Sequence, residues 1–198
     1  MPEVAALLSR GGTTFHRRAL GQAWHVIADA YRADGEADRA EAAYHRSLAF
    51  DGRRRRVHVD LAWLVKKQGR PAEALAHLRA AVDLDPVDLN TRKWLVLAYA
   101  DLGRHAETLD DLRVLVEAQP DDPVARLFLA KALRTTGRSS EAVGQYRAAL
   151  RLAPGWLLAA NDLAWLLATC GDDDVRDGAE SVALAEAASA AGDRRQGA

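Results

Sequence analysis

Apolar residues recur along this chain on a helical period that repeats itself every 34 residues. In the stretch 55–88, RRVHVDLAWLVKKQGRPAEALAHLRAAVDLDPVD, two runs carry apolar residues at helical spacing, with Gly69 between them and Pro86 after the second. That pattern predicts two amphipathic helices joined by a tight turn. Gly35, Gly69, Gly103, Gly137 and Gly171 fall 34 residues apart, and Pro86, Pro120 and Pro154 keep the same interval. With only 14 Gly among 198 residues, composition does not produce such a register. A fixed period of this length predicts stacked helical hairpins.

Five windows follow: 21–54, 55–88, 89–122, 123–156 and 157–190. Position seven holds Ile27, Leu61, Leu95, Leu129 and Leu163. Position eight holds the small residues Ala28, Ala62, Val96, Ala130 and Ala164, and position eleven holds Tyr31, Val65, Tyr99, Leu133 and Leu167. Those three positions share one helical face, the expected core side of each first helix. The second helices repeat the logic: Ala40, Ala74, Thr108 and Ala142 at position 20, Tyr44, Leu78, Leu112 and Tyr146 at position 24, Ser47, Ala81, Leu115 and Ala149 at position 27. The glycine at position 15 supplies a left-handed end to each first helix. Asp122-Pro123 reads as an N-cap followed by proline at the first helical position.

These residues resemble the tetratricopeptide repeat, whose pattern sets a large residue near position 4, Leu at 7, a small residue at 8, Tyr at 11, Ala at 20, an aromatic at 24, Ala at 27 and Pro at 32. Trp24, Ile27, Ala28, Tyr31, Ala40 and Tyr44 match in the first window. Leu129, Ala130, Ala142, Tyr146, Ala149 and Pro154 match in the fourth. Gly52 replaces the first proline, and Thr108 and Leu115 are bulkier than the pattern prefers. The last window, NDLAWLLATCGDDDVRDGAESVALAEAA, looks like a terminal variant of bacterial repeat proteins, with an inserted loop near 172–178. The resemblance implies an all-α, right-handed α-solenoid of five hairpins over 21–190. Residues 1–20 form a tail or a cap over the first hairpin, and 191–198 a polar tail. Within the first segment a short helix from Pro2 to Leu8 is expected, then a new helix capped by Thr13 or Thr14.

Composition narrows the function by exclusion. The chain is 49% apolar and 28% charged, with a net charge of −1, so it can bury a sizeable surface and carries no global bias toward nucleic acid. The run Arg53 to Arg56 lacks interleaved aromatics, which argues against a nucleic-acid patch. Cys170 is a lone cysteine, so no internal disulfide forms. No apolar stretch reaches membrane-spanning length. A cytoplasmic protein is expected. The loop Asp172 to Gly178 fails the calcium-loop test, since Val175 would stand where an oxygen ligand is needed. Among His16, His25, His45, His58, His77 and His105 no two stand four residues apart, the spacing of a helical zinc site. No phosphate loop, nucleophile elbow or thiol–histidine signature appears. The expectation is a chain without catalysis, metal or cofactor.

What remains is a protein-binding scaffold. In each first helix, positions 2, 5, 9, 12 and 13 oppose the core face, and in tetratricopeptide proteins that side lines a concave groove. Here it carries Arg32, Arg56, Lys66, Lys67, Lys93, Lys131 and Arg134 against Asp29 and Asp101, with Trp63, Leu97 and Trp165 at position 9 and Asn161 at position 5. The expected ligand is an acidic, partly apolar peptide or partner domain, anchored on Trp63 and Trp165 and steered by the cations. The family's carboxylate clamp does not carry over, because Leu97 stands where the clamp asparagine belongs. The rival reading makes the chain a regulatory or targeting arm of a larger enzyme or export assembly. The alanine-rich last helix is poorly capped, which predicts weak self-association or a continuation of the array.

Overall fold

A computed structural model describes residues 14–196, so the expected helix from Pro2 to Leu8 lies outside the described residues. The described residues form ten α-helices: α1 (Thr14–Ala33), α2 (Ala37–Phe50), α3 (Arg55–Lys67), α4 (Pro71–Leu84), α5 (Leu89–Asp101), α6 (Leu109–Ala118), α7 (Pro123–Thr135), α8 (Ser139–Leu152), α9 (Leu157–Thr169) and α10 (Gly178–Gln196). A 3₁₀ turn, His105–Thr108, leads into α6. Helices α1 and α2, α3 and α4, α7 and α8, and α9 and α10 pair as hairpins. The contacts sort into two units, residues 1–98 and 99–198, with the division inside α5.

The hairpin turn is built the same way in four repeats. Gly35, Gly69, Gly103 and Gly137 all take positive φ, between 69° and 78°. Around Gly69, the Arg70 N–H reaches back to the Val65 carbonyl at 3.0 Å and the Gly69 N–H to that of Lys66 at 3.0 Å. The other three turns close on Tyr31, Tyr99 and Leu133 in the same manner. This paired closure satisfies carbonyls that the end of the first helix would leave open, and it requires a residue at home in left-handed backbone. The next helix then begins with an ion pair three residues apart: Arg70–Glu73, Arg104–Glu107 and Arg138–Glu141, inverted to Glu36–Arg39 in the first repeat. These pairs are exposed and contribute little stability individually.

Gly171 keeps the sequence register but not the conformation. It is absent from left-handed backbone, whereas Gly155, outside the register, has φ 82°. The reason is the eight-residue detour after α9. Cys170 is already extended at φ −61°, ψ 132°, so no left-handed turn follows. The loop is instead pinned by Val175, which is buried, and by the Asp177 N–H, which donates to the Leu167 carbonyl at 3.1 Å. Asp177 then caps α10 by accepting from the Glu180 N–H at 2.9 Å.

The core follows the predicted positions. Ala28, Ala62, Val96, Ala130 and Ala164 are all buried, as are the position-20 and position-27 residues of four repeats. Small side chains at these points let paired helices approach closely, which leaves the aromatics Tyr44 and Tyr146 fully enclosed. Ile27 departs from the pattern: it is 38% exposed, while Leu61 and Leu163 are sealed. The first repeat has no described repeat before it to cover that position. Thr108, bulkier than the pattern prefers, is buried with its hydroxyl donating to the His105 carbonyl at 2.7 Å, and the helix there winds as 3₁₀.

Candidate protein-binding faces

In the first unit, α3 carries Arg56, Asp60, Trp63, Lys66 and Lys67 from its first turn to its last. α5 brings Trp94 and Leu97 beside them. The Trp63 and Trp94 rings meet edge to face with centroids 5.9 Å apart, a favoured aromatic arrangement. Lys66 Nζ sits 5.5 Å from the Trp63 ring centroid. Trp63 and Leu97 remain 41% and 40% exposed. Trp63, Trp94 and Leu97 together line a small apolar depression on this face. An open cleft of about 610 Å³ runs from the tryptophan pair to the start of α3, past Arg56, Asp60 and Asp88.

Charge along this face is not uniform. Arg56 Nε pairs with Asp60 at 3.1 Å, and Arg55 bonds to Asp88 and lies 3.4 Å from Asp85. Arg54 is tied to Gln22. Three of the four arginines of this run, Arg54, Arg55 and Arg56, thus hold polar partners within the protein. The Thr91 hydroxyl donating to Asp88 at 2.7 Å, with the Asn90 N–H and Arg55, holds that carboxyl below the usual range. The cationic end of the face lies instead at Lys66 and Lys67, in the last turn of α3.

Arg32 belongs to a chain of polar contacts across α1, α2 and α3. It donates to the Tyr44 hydroxyl at 3.0 Å and to Asp29 at 3.3 Å, while Tyr44 donates to the same Asp29 oxygen at 2.7 Å. His25 Nε2 stands 3.0 Å from Asp60 and 3.6 Å from Asp29. Burial acts to raise the Asp29 carboxyl, but Tyr44, His25 and Arg32 together hold it below its ordinary value. His25, Asp29 and Asp60 offer ligand atoms within 4.8 Å of one another. Arg32 and Arg56 already neutralise the two carboxylates, so this cluster reads as an ion-paired seam between repeats rather than as a cation site.

In the second unit, α7 carries Lys131 and Arg134, and α9 carries Asn161, Asp162 and Trp165. Lys131 Nζ pairs with Asp162 at 3.2 Å. Arg134 stacks over Trp165, its guanidinium carbon 5.2 Å from the ring centroid, and Trp165 is 57% exposed. Asn161 is exposed beside it. His105 lies near both cations; burial first, then Lys131 and Arg134, push its imidazole below the ordinary range.

The candidate residues therefore divide. Trp63, Leu97, Trp165, Asn161, Arg32, Arg56 and Lys67 are exposed, while Lys66, Lys93, Lys131 and Arg134 are half-buried. Of the expected cations, Arg32, Arg56 and Lys131 are paired with Asp29, Asp60 and Asp162. Two of those carboxylates, Asp60 and Asp162, stand at position 6, which a count over positions 2, 5, 9, 12 and 13 leaves out. Trp94 occupies the same position in its repeat and was also missed. Position 5 is misassigned to the open face in part: His25, Val59 and Leu127 are buried there.

Comparisons with known proteins agree with this architecture. No curated protein sequence matches the chain. Several solved structures do. A MamA structure superposes with a TM-score of 0.71 at 20% identity, covering 89% of this chain and 94% of that one. YrrB, described as a TPR protein with an unusual peptide-binding site, gives 0.72 at 18% identity, covering 85% of this chain and 84% of its own. MamA from Desulfovibrio magneticus RS-1 gives 0.68 at 14% identity, covering 89% and 96%. These likenesses speak to the fold. No helix among the described residues is long and apolar enough to cross a membrane. The tetratricopeptide repeat model matches residues 25–88, 59–123 and 95–156, which together span well over half of the sequence, so the chain belongs to the tetratricopeptide repeat family.

Proposed function

We propose that this protein is a non-catalytic scaffold that binds a peptide segment or partner domain on the open faces of its first helices. The observation that carries the reading is the exposure of Trp63 and Trp165, each beside a cation, at the same repeat position in the two units. Tryptophan and arginine are among the residue types that dominate binding energy at protein interfaces, and lysines beside them steer an acidic partner. In the first unit the ligand places an apolar side chain against Trp63, Trp94 and Leu97 and an acidic group toward Lys66 and Lys67. The balanced Arg55, Arg56, Asp60 and Asp88 end of the cleft calls for polar, uncharged groups. The peptide-binding site named for YrrB supports the class of ligand by analogy of fold.

The test is affinity capture of a partner, followed by its titration against variants across a salt series. Trp63→Ala is expected to weaken binding at least ~10-fold, as truncating a hot-spot aromatic does. Lys66→Glu with Lys67→Glu is expected to weaken it further and to flatten its salt dependence. Unchanged affinity in both variants moves the site off this face.

A further inference from the structure

Three histidines far apart in the sequence meet in the first unit, away from the faces described above. His45 lies on α2, His58 on α3 and His77 on α4. The Nδ1 atoms of His58 and His77 are 3.2 Å apart, and the ring centroids of His45 and His77 are separated by 6.0 Å. The His58 Nε2 atom is 3.2 Å from the Gly52 carbonyl oxygen. A carbonyl only accepts, so this nitrogen carries the proton, and in the neutral ring Nδ1 is left with its lone pair. The His77 N–H at Nδ1 donates to it.

Ligating imidazoles usually give their remote N–H to a carbonyl or carboxylate, which fixes tautomer and ring orientation. Gly52 already does this for His58. The spacing also fits. At metal–nitrogen distances of about 2.0–2.1 Å, nitrogens 3.2 Å apart subtend roughly 100° at the ion, between square-planar and tetrahedral angles. The nearby carboxylates are committed elsewhere: Arg70 donates to Glu41 at 2.8 Å and to Glu73 at 2.7 Å. His45 is the looser group. It is exposed, and its Nε2 atom stands 3.8 Å from Glu41, beyond a good hydrogen bond.

We propose that His58, His77 and His45 form a binding site for a divalent transition-metal ion of the imidazole-preferring kind, such as Zn²⁺, Ni²⁺ or Cu²⁺. His58 and His77 are the fixed pair, and His45 turns in as the third ligand. On binding, the proton at His77 Nδ1 moves to Nε2 of the same ring, and both Nδ1 lone pairs bind the ion; no oxidant or reductant is needed. The ion ties α2, α3 and α4 together and so joins the first two repeats.

The experiment uses the untagged full chain, stripped with chelator and titrated with Ni²⁺ and Zn²⁺ by calorimetry. One ion per chain is expected, with binding weakened at least ~10-fold in His58→Gln and in His77→Gln and less in His45→Gln. Circular dichroism without metal checks that each variant folds. The unmodified chain supplies an independent readout: bound Cu²⁺ must show at least two nitrogen couplings by electron paramagnetic resonance. An oxygen-only pattern, no binding at millimolar metal, or unchanged affinity in both His58→Gln and His77→Gln overturns the proposal. Loss of binding in His25→Gln alone also overturns it, and assigns the ion to the His25, Asp29 and Asp60 seam.

Discussion

Tyr44 and Tyr146 occupy the same repeat position and are both fully buried, yet their hydroxyls have different surroundings. Tyr44 donates to Asp29 and accepts from Arg32. The Tyr146 hydroxyl has no hydrogen-bond partner among the described residues, and burial, with Asp162 nearby, holds its phenol above the usual range. Removing a bonded hydroxyl between charged groups strands its partners, whereas removing an unpartnered one relieves a desolvation cost. Tyr44→Phe is therefore expected to cost about 1–3 kcal/mol, and Tyr146→Phe to change stability by less than about 0.5 kcal/mol or to raise it. Urea denaturation of the two variants measures this; equal losses would refute the assignment of the Tyr44 network.

At the level of the helical hairpin, the glycine register separates sequence identity from backbone need. Gly137 sits at φ 75°, with open space where a Cβ would point. Its replacement therefore costs conformational strain and no steric clash. Gly137→Ala is expected to lose about 1–2 kcal/mol, the penalty of left-handed backbone for an L-residue. Gly171 has the same space but no positive φ. Gly171→Ala is expected to be neutral within about 0.5 kcal/mol, as for an exposed loop substitution. Thermal unfolding of both proteins checks the contrast, and a similar loss at Gly171 would mean that the last hairpin closes like the others.

Across the whole molecule, stability in a repeat array is a sum of hairpin terms and nearest-neighbour interfaces, so a helix with one neighbour is held least. α10 is joined to α8 by the Arg147–Glu180 pair and to α9 by the Ser181 hydroxyl, which donates to the Ala164 carbonyl at 2.8 Å. Its outer side presents alanines and Val182, which is 57% exposed. That apolar surface is expected to drive weak, concentration-dependent self-association, abolished by Val182→Lys. Light scattering that shows a monomer at millimolar concentration would remove this expectation.

The 34-residue period, the core positions and the four glycine turns were legible in the sequence, because each depends on contacts within one hairpin or on one residue's backbone preference. The candidate tryptophans were legible for the same reason: a large apolar residue opposite a helix's core face has no local partner to bury it. The pairing of Lys131 and the link from Asp60 to a second repeat were decided in three dimensions. Asp60 and Asp162 stand at a flanking helical position, and only the packing of adjacent helices brings Asp162 to Lys131 or lets Asp60 bridge Arg56 and His25. Trp94 reaches Trp63 from another repeat for the same reason. The meeting of His45, His58 and His77 was invisible to any spacing rule for a single helix, since the three come from three helices. One-dimensional periodicity fixes which side of a helix faces inward; the partners at its edges are set by the neighbouring helices, whose approach depends on the small side chains packed between them.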